Sequence, residues 1–264
     1  MKDLTVGDFV LSGNAGQVSR VYAFGHRNPR RNTEFLQIWT KSDLFGNDLR
    51  PLEITKDHLL FAWQKENTSG APKAIRADNL RVGELIQTLT GSANVTHITQ
   101  VNKTGIYAPL TLKGTLVVNG LVTSSYVSLS PTSTEVYSRN GNLDPHSLLH
   151  MVVSPFRLVC GFTVISSTVS LCQDEIDADG MPVVIGYGLN LMQWILEIKK
   201  SSRLLRLLKS VALVGVLIVT GTTYVLEQIL QTLSKCKAFS MSAVSVLMVT
   251  VLWMNRPKQN RSKV

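Results

Sequence analysis

From residue 4 to residue 128 the apolar positions come in short runs, "GDFVLSG", "EFLQIWT", "HLLFAWQ" and "GTLVVNG" among them, separated by Gly, Asn, Pro and Ser. Branched and aromatic side chains suit a pleated, half-buried surface, and the breakers between them supply turns. No helical period persists for ten residues or more here, so the pattern predicts a mainly β domain over residues 1–130. An internal echo sharpens this. Leu4-Thr5-Val6-Gly7-Asp8-Phe9-Val10 returns as Leu80-Arg81-Val82-Gly83-Glu84-Leu85-Ile86, and Val18-Ser19-Arg20-Val21 is matched with Thr96-His97-Ile98-Thr99-Gln100-Val101. Two related β units about a pseudo-twofold axis are expected.

The pattern then changes. Residues 131–172 pass from a polar loop into "HSLLHMVVSPFRLVCG", expected to begin helical and stop near Pro155, where the ring and the missing N–H end a helix. Residues 173–188, acidic and glycine-bearing at Gln173 to Met181, read as a linker. Residues 189–254 open with an apolar-faced helical stretch, Leu189 to Ile198, and continue into two uncharged runs, Ser210–Leu226 and Ala238–Met254. Each run falls slightly short of the ~20 residues that a bilayer core requires. Extension into flanking basic residues, which can snorkel, brings both into range, so an α-helical two-span membrane tail is predicted, closed by a basic segment at 255–264.

Charge is informative through its placement. The formal net charge is +9, from 27 Lys and Arg against 18 Asp and Glu. Lys199, Lys200, Arg203, Arg206 and Lys209 precede the first run, and Arg256, Lys258, Arg261 and Lys263 follow the second. That arrangement suits a lipid surface and argues against nucleic acid as a partner. The basic flanks would put both ends of the tail, and a β domain joined to it, on the cytosolic side. Met1 to Gly13 holds no apolar run of signal-peptide type. Cys160, Cys172 and Cys236 are odd in number and lack C-x-x-C spacing, so no disulfide framework or zinc site is readable from them.

Candidate chemistry centres on Leu52-Glu53-Ile54-Thr55-Lys56-Asp57-His58, a strand and turn in which Thr55 and His58 stand three apart. A hydroxyl and an imidazole so placed can converge on one peptide bond, and His can donate a proton to a departing amine. His146 and His150, four apart, would share a helix face; with no carboxylate ligand nearby they read as structural, and neither metal nor cofactor is expected. Sequons at Asn67, Asn94 and Asn102 would matter only in a secretory lumen.

The strings "LTVGDFVL", "ITKDHLLFA" and "GIYAPLTLKGTLVVNGLVTSSY" occur in this order, and "HSLLHMVVSPFRLVC" follows. Together they resemble the Hint (hedgehog/intein) autoprocessing domains of hedgehog proteins, from Leu4 to about Cys160. The resemblance implies protein autoprocessing: a cysteine attacks the preceding peptide carbonyl in an N–S acyl shift, and a second nucleophile, a sterol hydroxyl in hedgehogs, resolves the thioester. By position it assigns polarisation and protonation of the scissile bond to Thr55 and His58. The implied partners are the protein's own amino-terminal precursor segment and membrane lipid or sterol.

Three departures temper that expectation. The resemblance places the nucleophilic cysteine some tens of residues before "LTVGD", whereas this sequence opens Met1-Lys2-Asp3, so a truncated or self-inactive chain is expected. His26 stands where the family's sterol-activating aspartate aligns; it can act as a base but lacks a carboxylate's fixed charge. Ser125 replaces the family's cysteine after the "VVN" strand and is a poorer nucleophile. The competing expectations are a catalytically dead, membrane-anchored β binding module and an unrelated soluble α+β enzyme, for which no convergent polar site is legible.

Overall fold

A computed structural model describes residues 1–13, 17–41, 50–63, 70–128, 144–166, 186, 214–216 and 218–230. Among the first 128 residues, those described form the strands β1 (Phe9–Leu11), β2 (Val18–Lys41), β3 (Leu52–Ile54), β4 (His58–Trp63), β5 (Lys73–Arg76), β6 (Leu85–Gln87), β7 (Ser92–Thr111), β8 (Thr115–Val118) and β9 (Leu121–Val127), with a 3₁₀ turn at Ala77–Asn79. Their antiparallel order is β1-β2-β7-β6-β4-β9-β8, with β3 added to β2 and β5 to β4. The long strands β2 and β7 form a ribbon whose pairing slips at four places, from Val21/Ala23 to Trp39/Thr40. Such bulges bend and twist a ribbon, letting one strand serve successive parts of a curved sheet.

The echoed heptapeptides build the same turn twice. Gly7 N–H donates to the Val21 carbonyl (2.9 Å) and Gly83 N–H to that of Val95 (2.8 Å). Val21 N–H bonds the Asp8 carbonyl and Val95 N–H that of Glu84. The Asp8 and Glu84 carboxylates close each turn by accepting from Thr5 N–H and Arg81 N–H, both at 2.8 Å. Both glycines have positive φ, +104° and +87°, which explains why glycine stands at this point in each copy. The second echo read from sequence is out of register: the counterpart of Val21 is Val95, before Thr96, not within Thr96–Val101.

The main core gathers Leu36, Ile38, Leu52, Ile54, Leu60, Ile86, Val95 and Leu121 from six strands. Two of its members, Ile54 and Leu60, flank the β3–β4 turn that carries Thr55 and His58. A second cluster seats Cys160 and Phe156 against Tyr22, Ala23 and Leu110, joining the helical extension to the sheet. Cys160 is disulfide-bonded, a pairing that cysteine spacing alone did not reveal; Cys172 and Cys236 lie outside the described residues.

Two helices follow, α1 (Pro145–Val152) and α2 (Ser154–Ser166). Asp144 caps α1 by accepting from Ser147 N–H at 2.9 Å. The first helix stops near Pro155, at Val152 with Val153 as its cap, but a second begins at once, and Pro155 sits in the first turn of α2, where no intrahelical partner exists for an N–H to lose.

Among the described residues no helix is long and apolar enough to cross a membrane. The helix within 218–230 covers only part of the first expected span, Ser210–Leu226. It turns Thr220, Thr223 and, just past that span, Glu227 onto α2. Ser154 Oγ bonds the Thr220 carbonyl (3.0 Å) and Thr223 Oγ1 (2.8 Å), and Arg157 Nε donates to Glu227 Oε1 (2.6 Å). An uncharged run was readable from sequence; its polar docking edge was not. The second expected span, the linker at Gln173–Met181, the stretch Leu189–Ile198, the basic tail and Asn67 lie outside the described residues.

Candidate active site

Strand β3 ends at Ile54, and the turn Thr55-Lys56-Asp57-His58 closes with His58 N–H donating to the Thr55 carbonyl at 3.1 Å. The turn is tied to the body of the protein from several sides. The Lys56 carbonyl accepts from Asp78 N–H and the Asp57 carbonyl from Ser128 N–H. Buried Arg76 grips Asp57 and Asp78, each at 2.6 Å. Arg76 carries no motif of its own, and only the fold brings it beneath this turn.

Thr55 and His58 line a cavity of about 920 Å³ together with His26, Met1, Lys2, Thr123 and Val127. His26 comes from β2, where its backbone pairs with Ala108 of β7. Three of the four residues singled out from sequence therefore share one chamber. Ser125 does not line it: its Oγ lies buried 3.3 Å from Thr111 Oγ1, and its N–H donates to the Gly114 carbonyl.

The His58 ring is oriented by β9. Its Nε2 lies 2.8 Å from the Ser124 carbonyl. A carbonyl oxygen only accepts, so Nε2 carries the hydrogen and Nδ1 is left to exchange protons. Burial holds the His58 pKa below the usual imidazole range; the Ser124 bond pulls it up in part, and nearby His26 pushes it down again. The ring is thus neutral at physiological pH.

Behind β9 lies a second polar layer that sequence reading treated only as a pair of structural histidines. His146 and His150 stack with ring centres 5.8 Å apart. His146 Nδ1 faces Ser124 Oγ at 2.9 Å. His150 Nδ1 receives the Tyr126 hydroxyl at 2.7 Å and Arg157 Nη1 at 3.1 Å. Burial, opposed by Asp144, lowers the His146 pKa to about 4; burial and then Arg157 lower that of His150 to about 3.

Both rings are neutral when folded and basic near pH 6.5 when unfolded, so the unfolded chain binds more protons in between. Stability is therefore complete above about pH 6.5 and is lost as pH falls through 4 and then 3. Denaturant midpoints measured between pH 7 and pH 4 should drop by the equivalent of ~2 kcal/mol or more after discounting for partial exposure. A flat profile would mean that these rings are not held neutral.

The same layer explains Gly114. Its φ is +71°, and a Cβ there would lie 2.6 Å from His150 Nδ1 and 2.9 Å from the Tyr126 hydroxyl. Gly114→Ala adds ~1–2 kcal/mol of backbone strain to ~1–3 kcal/mol of overpacking. A loss of about 3 kcal/mol in urea unfolding is expected, and an unchanged midpoint would contradict this packing.

Comparison with known proteins bears on the whole of this region. A family model for the Hint module matches residues 1–181. The chain belongs to the Hint family. Among curated relatives, this Hint chain is 31% identical over 152 residues to protein qua-1 of Caenorhabditis elegans, covering 50% of the chain and 12% of that protein. It is 32% identical over 169 residues to protein hedgehog of Drosophila virilis, covering 60% of the chain and 30% of that protein. Indian hedgehog B protein of Danio rerio is 28% identical over 180 residues, covering 62% and 38%. The Hint chain thus spans well under half the length of these relatives. A crystal structure of the VidaL intein aligns at 14% identity and a TM-score of 0.30 over 44% of this chain and 68% of that one, too loosely to add to the assignment.

Proposed function

We propose that this Hint module serves self-cleavage of a precursor by an intramolecular acyl shift, with His58 as the proton-transfer group and Thr55 as a polarising hydroxyl. The observation that carries the reading is that Met1 and Lys2 line the same cavity as His26, Thr55 and His58. A segment joined at Met1 would continue from a wall of the cavity that His58 lines.

The nucleophile in this reading is a cysteine of that incoming segment. Cys160 is fully buried and disulfide-bonded, so it does not serve. The thiol gives its proton to neutral His58 at Nδ1, and the thiolate attacks the preceding carbonyl carbon. As the C–S bond forms and the C–N bond breaks, the imidazolium returns the proton to the departing amine. A second nucleophile, sterol hydroxyl or water, then displaces the thiolate. A depressed pKa suits both halves: the ring is free to accept at neutral pH, and once charged it is a strong donor. Without such a cysteine the chain is inactive.

The test is expression from the natural transcript, with all coding sequence that precedes residue 1, followed by a search for a released amino-terminal fragment and for hydroxylamine-sensitive thioester. An intact upstream cysteine with no cleavage would reject the reading.

A second reading, a membrane-attached module without catalysis, is favoured by one observation. The helix within 218–230 exposes Ile218, Val219, Val225, Leu226 and Ile229 on the sides not taken by Thr220, Thr223 and Glu227. Such a largely apolar exposed surface suits lipid. The protein should then stay with membranes in high salt and leave them only with detergent; release by salt alone would remove this reading.

A further inference from the structure

We infer that Ser124 and His146 are positioning residues for His58, holding its imidazole in a single tautomer and orientation from behind strand β9. The inference deepens the proton-transfer role proposed for His58 and rests on that reading for its functional consequence, although its geometry stands alone.

Strand β9 runs beside β4, but their ladder is irregular at this point. His58 pairs with Val127 and Leu60 with Thr123, so the register slips between them and residues 124–126 bulge. In an unbroken ladder a β9 carbonyl would be committed to a β4 amide. Here the Ser124 carbonyl accepts instead from the His58 ring, at 2.8 Å. The Ser124 side chain sustains this arrangement. Its Oγ accepts from Tyr126 N–H at 3.0 Å, a local bond that substitutes for the lost ladder partner.

Because Oγ already accepts from that amide, its own hydrogen is free for His146 Nδ1, 2.9 Å away. Ser124 is completely buried, so each of these bonds is costly to leave unmade. To accept there His146 takes the Nε2–H tautomer of the neutral ring, and burial favours the neutral ring over the charged one. Its ring is fixed in turn by Phe61, edge-on with centres 5.0 Å apart, and by Tyr126 and His150. Among the described residues, Asp144, Arg157, His150 and Tyr126 are charged or titratable groups that bear on it. Helix α1, which follows the β domain in sequence, thereby reaches the active histidine through two hydrogen bonds and one serine.

The consequence is a division of labour on the His58 ring. Nε2 is held as a donor to a carbonyl that the Ser124 bulge positions, and Nδ1 faces its proton exchange without a competing tautomer. Loosening the bulge would let the ring rotate or exchange tautomers while leaving the core intact.

The experiment uses the full chain labelled with ¹⁵N-histidine, in which five imidazoles are resolved by long-range proton–nitrogen spectra. His58 is expected as a single Nε2–H tautomer in the unaltered protein. Ser124→Ala and, separately, His146→Ala should convert it to a mixture, while exposed His97 keeps its spectrum. Ser124→Thr, which retains the hydroxyl, should restore the single form. A folded Ser124→Ala protein in which His58 remains purely Nε2–H overturns the inference; if that variant fails to fold, the same result in His146→Ala overturns it.

In the protein carrying its upstream sequence, Ser124→Ala should slow cleavage by about 10- to 100-fold and shift the acidic limb of its pH profile. Cleavage that His58→Ala slows strongly and Ser124→Ala leaves untouched also overturns it. Absence of cleavage in every form, with the tautomer change present, sinks the autoprocessing reading and leaves the positioning intact.

Discussion

His58→Ala, introduced into the protein expressed with its upstream coding sequence, is expected to slow appearance of the amino-terminal fragment by about 10²- to 10⁴-fold, the usual worth of a placed acid–base group. The site is suited to so large an effect because the ring is desolvated, anchored at Nε2 and set at the cavity wall with Thr55. Loss of a neutral, oriented imidazole removes the proton route, while the apolar cluster that includes Leu52, Ile54 and Leu60 keeps its own members. Thr55→Val should cost less, since a polarising hydroxyl supplies one hydrogen bond. The pH dependence provides a second check: burial lowers the His58 pKa, so cleavage should decline on acidification only below the ordinary imidazole range. Equal rates of fragment release with and without His58, measured by immunoblot over time, would end the catalytic interpretation.

The second large effect belongs to the ion pair that joins the helix within 218–230 to α2. Arg157 is completely buried, and its guanidinium makes a two-pronged contact with Glu227 through Nε and Nη2. Nη1 is spent on the His150 carbonyl at 2.7 Å and on its Nδ1. Glu227→Ala would strand that cation in a dry site, which costs ~3–5 kcal/mol when one partner of a buried pair is removed. The loss should appear as a lowered urea midpoint and as proteolysis between α2 and residue 230. Replacing both partners together, Arg157→Met with Glu227→Leu, should be far milder, because no unpaired charge remains. Unchanged stability of Glu227→Ala would show that the helix is not held by this contact.

Residues in the β domain illustrate what a linear reading can reach. Alternating apolar runs and breakers specify strands because both follow from local rules of pleat and turn. The doubled Leu-x-Val-Gly-Asp/Glu motif specifies two equivalent turns because glycine at positive φ and a carboxylate that closes the turn are local requirements. Thr55 and His58 were legible for the same reason, lying three apart in one tight turn. His26 was reachable only by family resemblance, and the fold sets it in the same cavity.

Other features depended on long-range closure. The bulge at Ser124, the grip of Arg76 on Asp57, the exclusion of Ser125 from the cavity and the burial of Glu227 on Arg157 each join positions distant in sequence. Ser124 and Ser125 are chemically identical neighbours, and alternation along β9 gives one to the His146 layer and the other to Thr111. The uncharged run before Glu227 likewise determined a helix with an apolar face, but hydropathy carries no record of the Arg157 cation waiting on α2. Local propensity and turn chemistry are written into neighbouring residues, so the amino-acid sequence alone determined the strands and the Thr55–His58 turn. Pairing register and burial arise from contacts between distant segments, so only the tertiary structure decided which polar groups meet and which faces are covered.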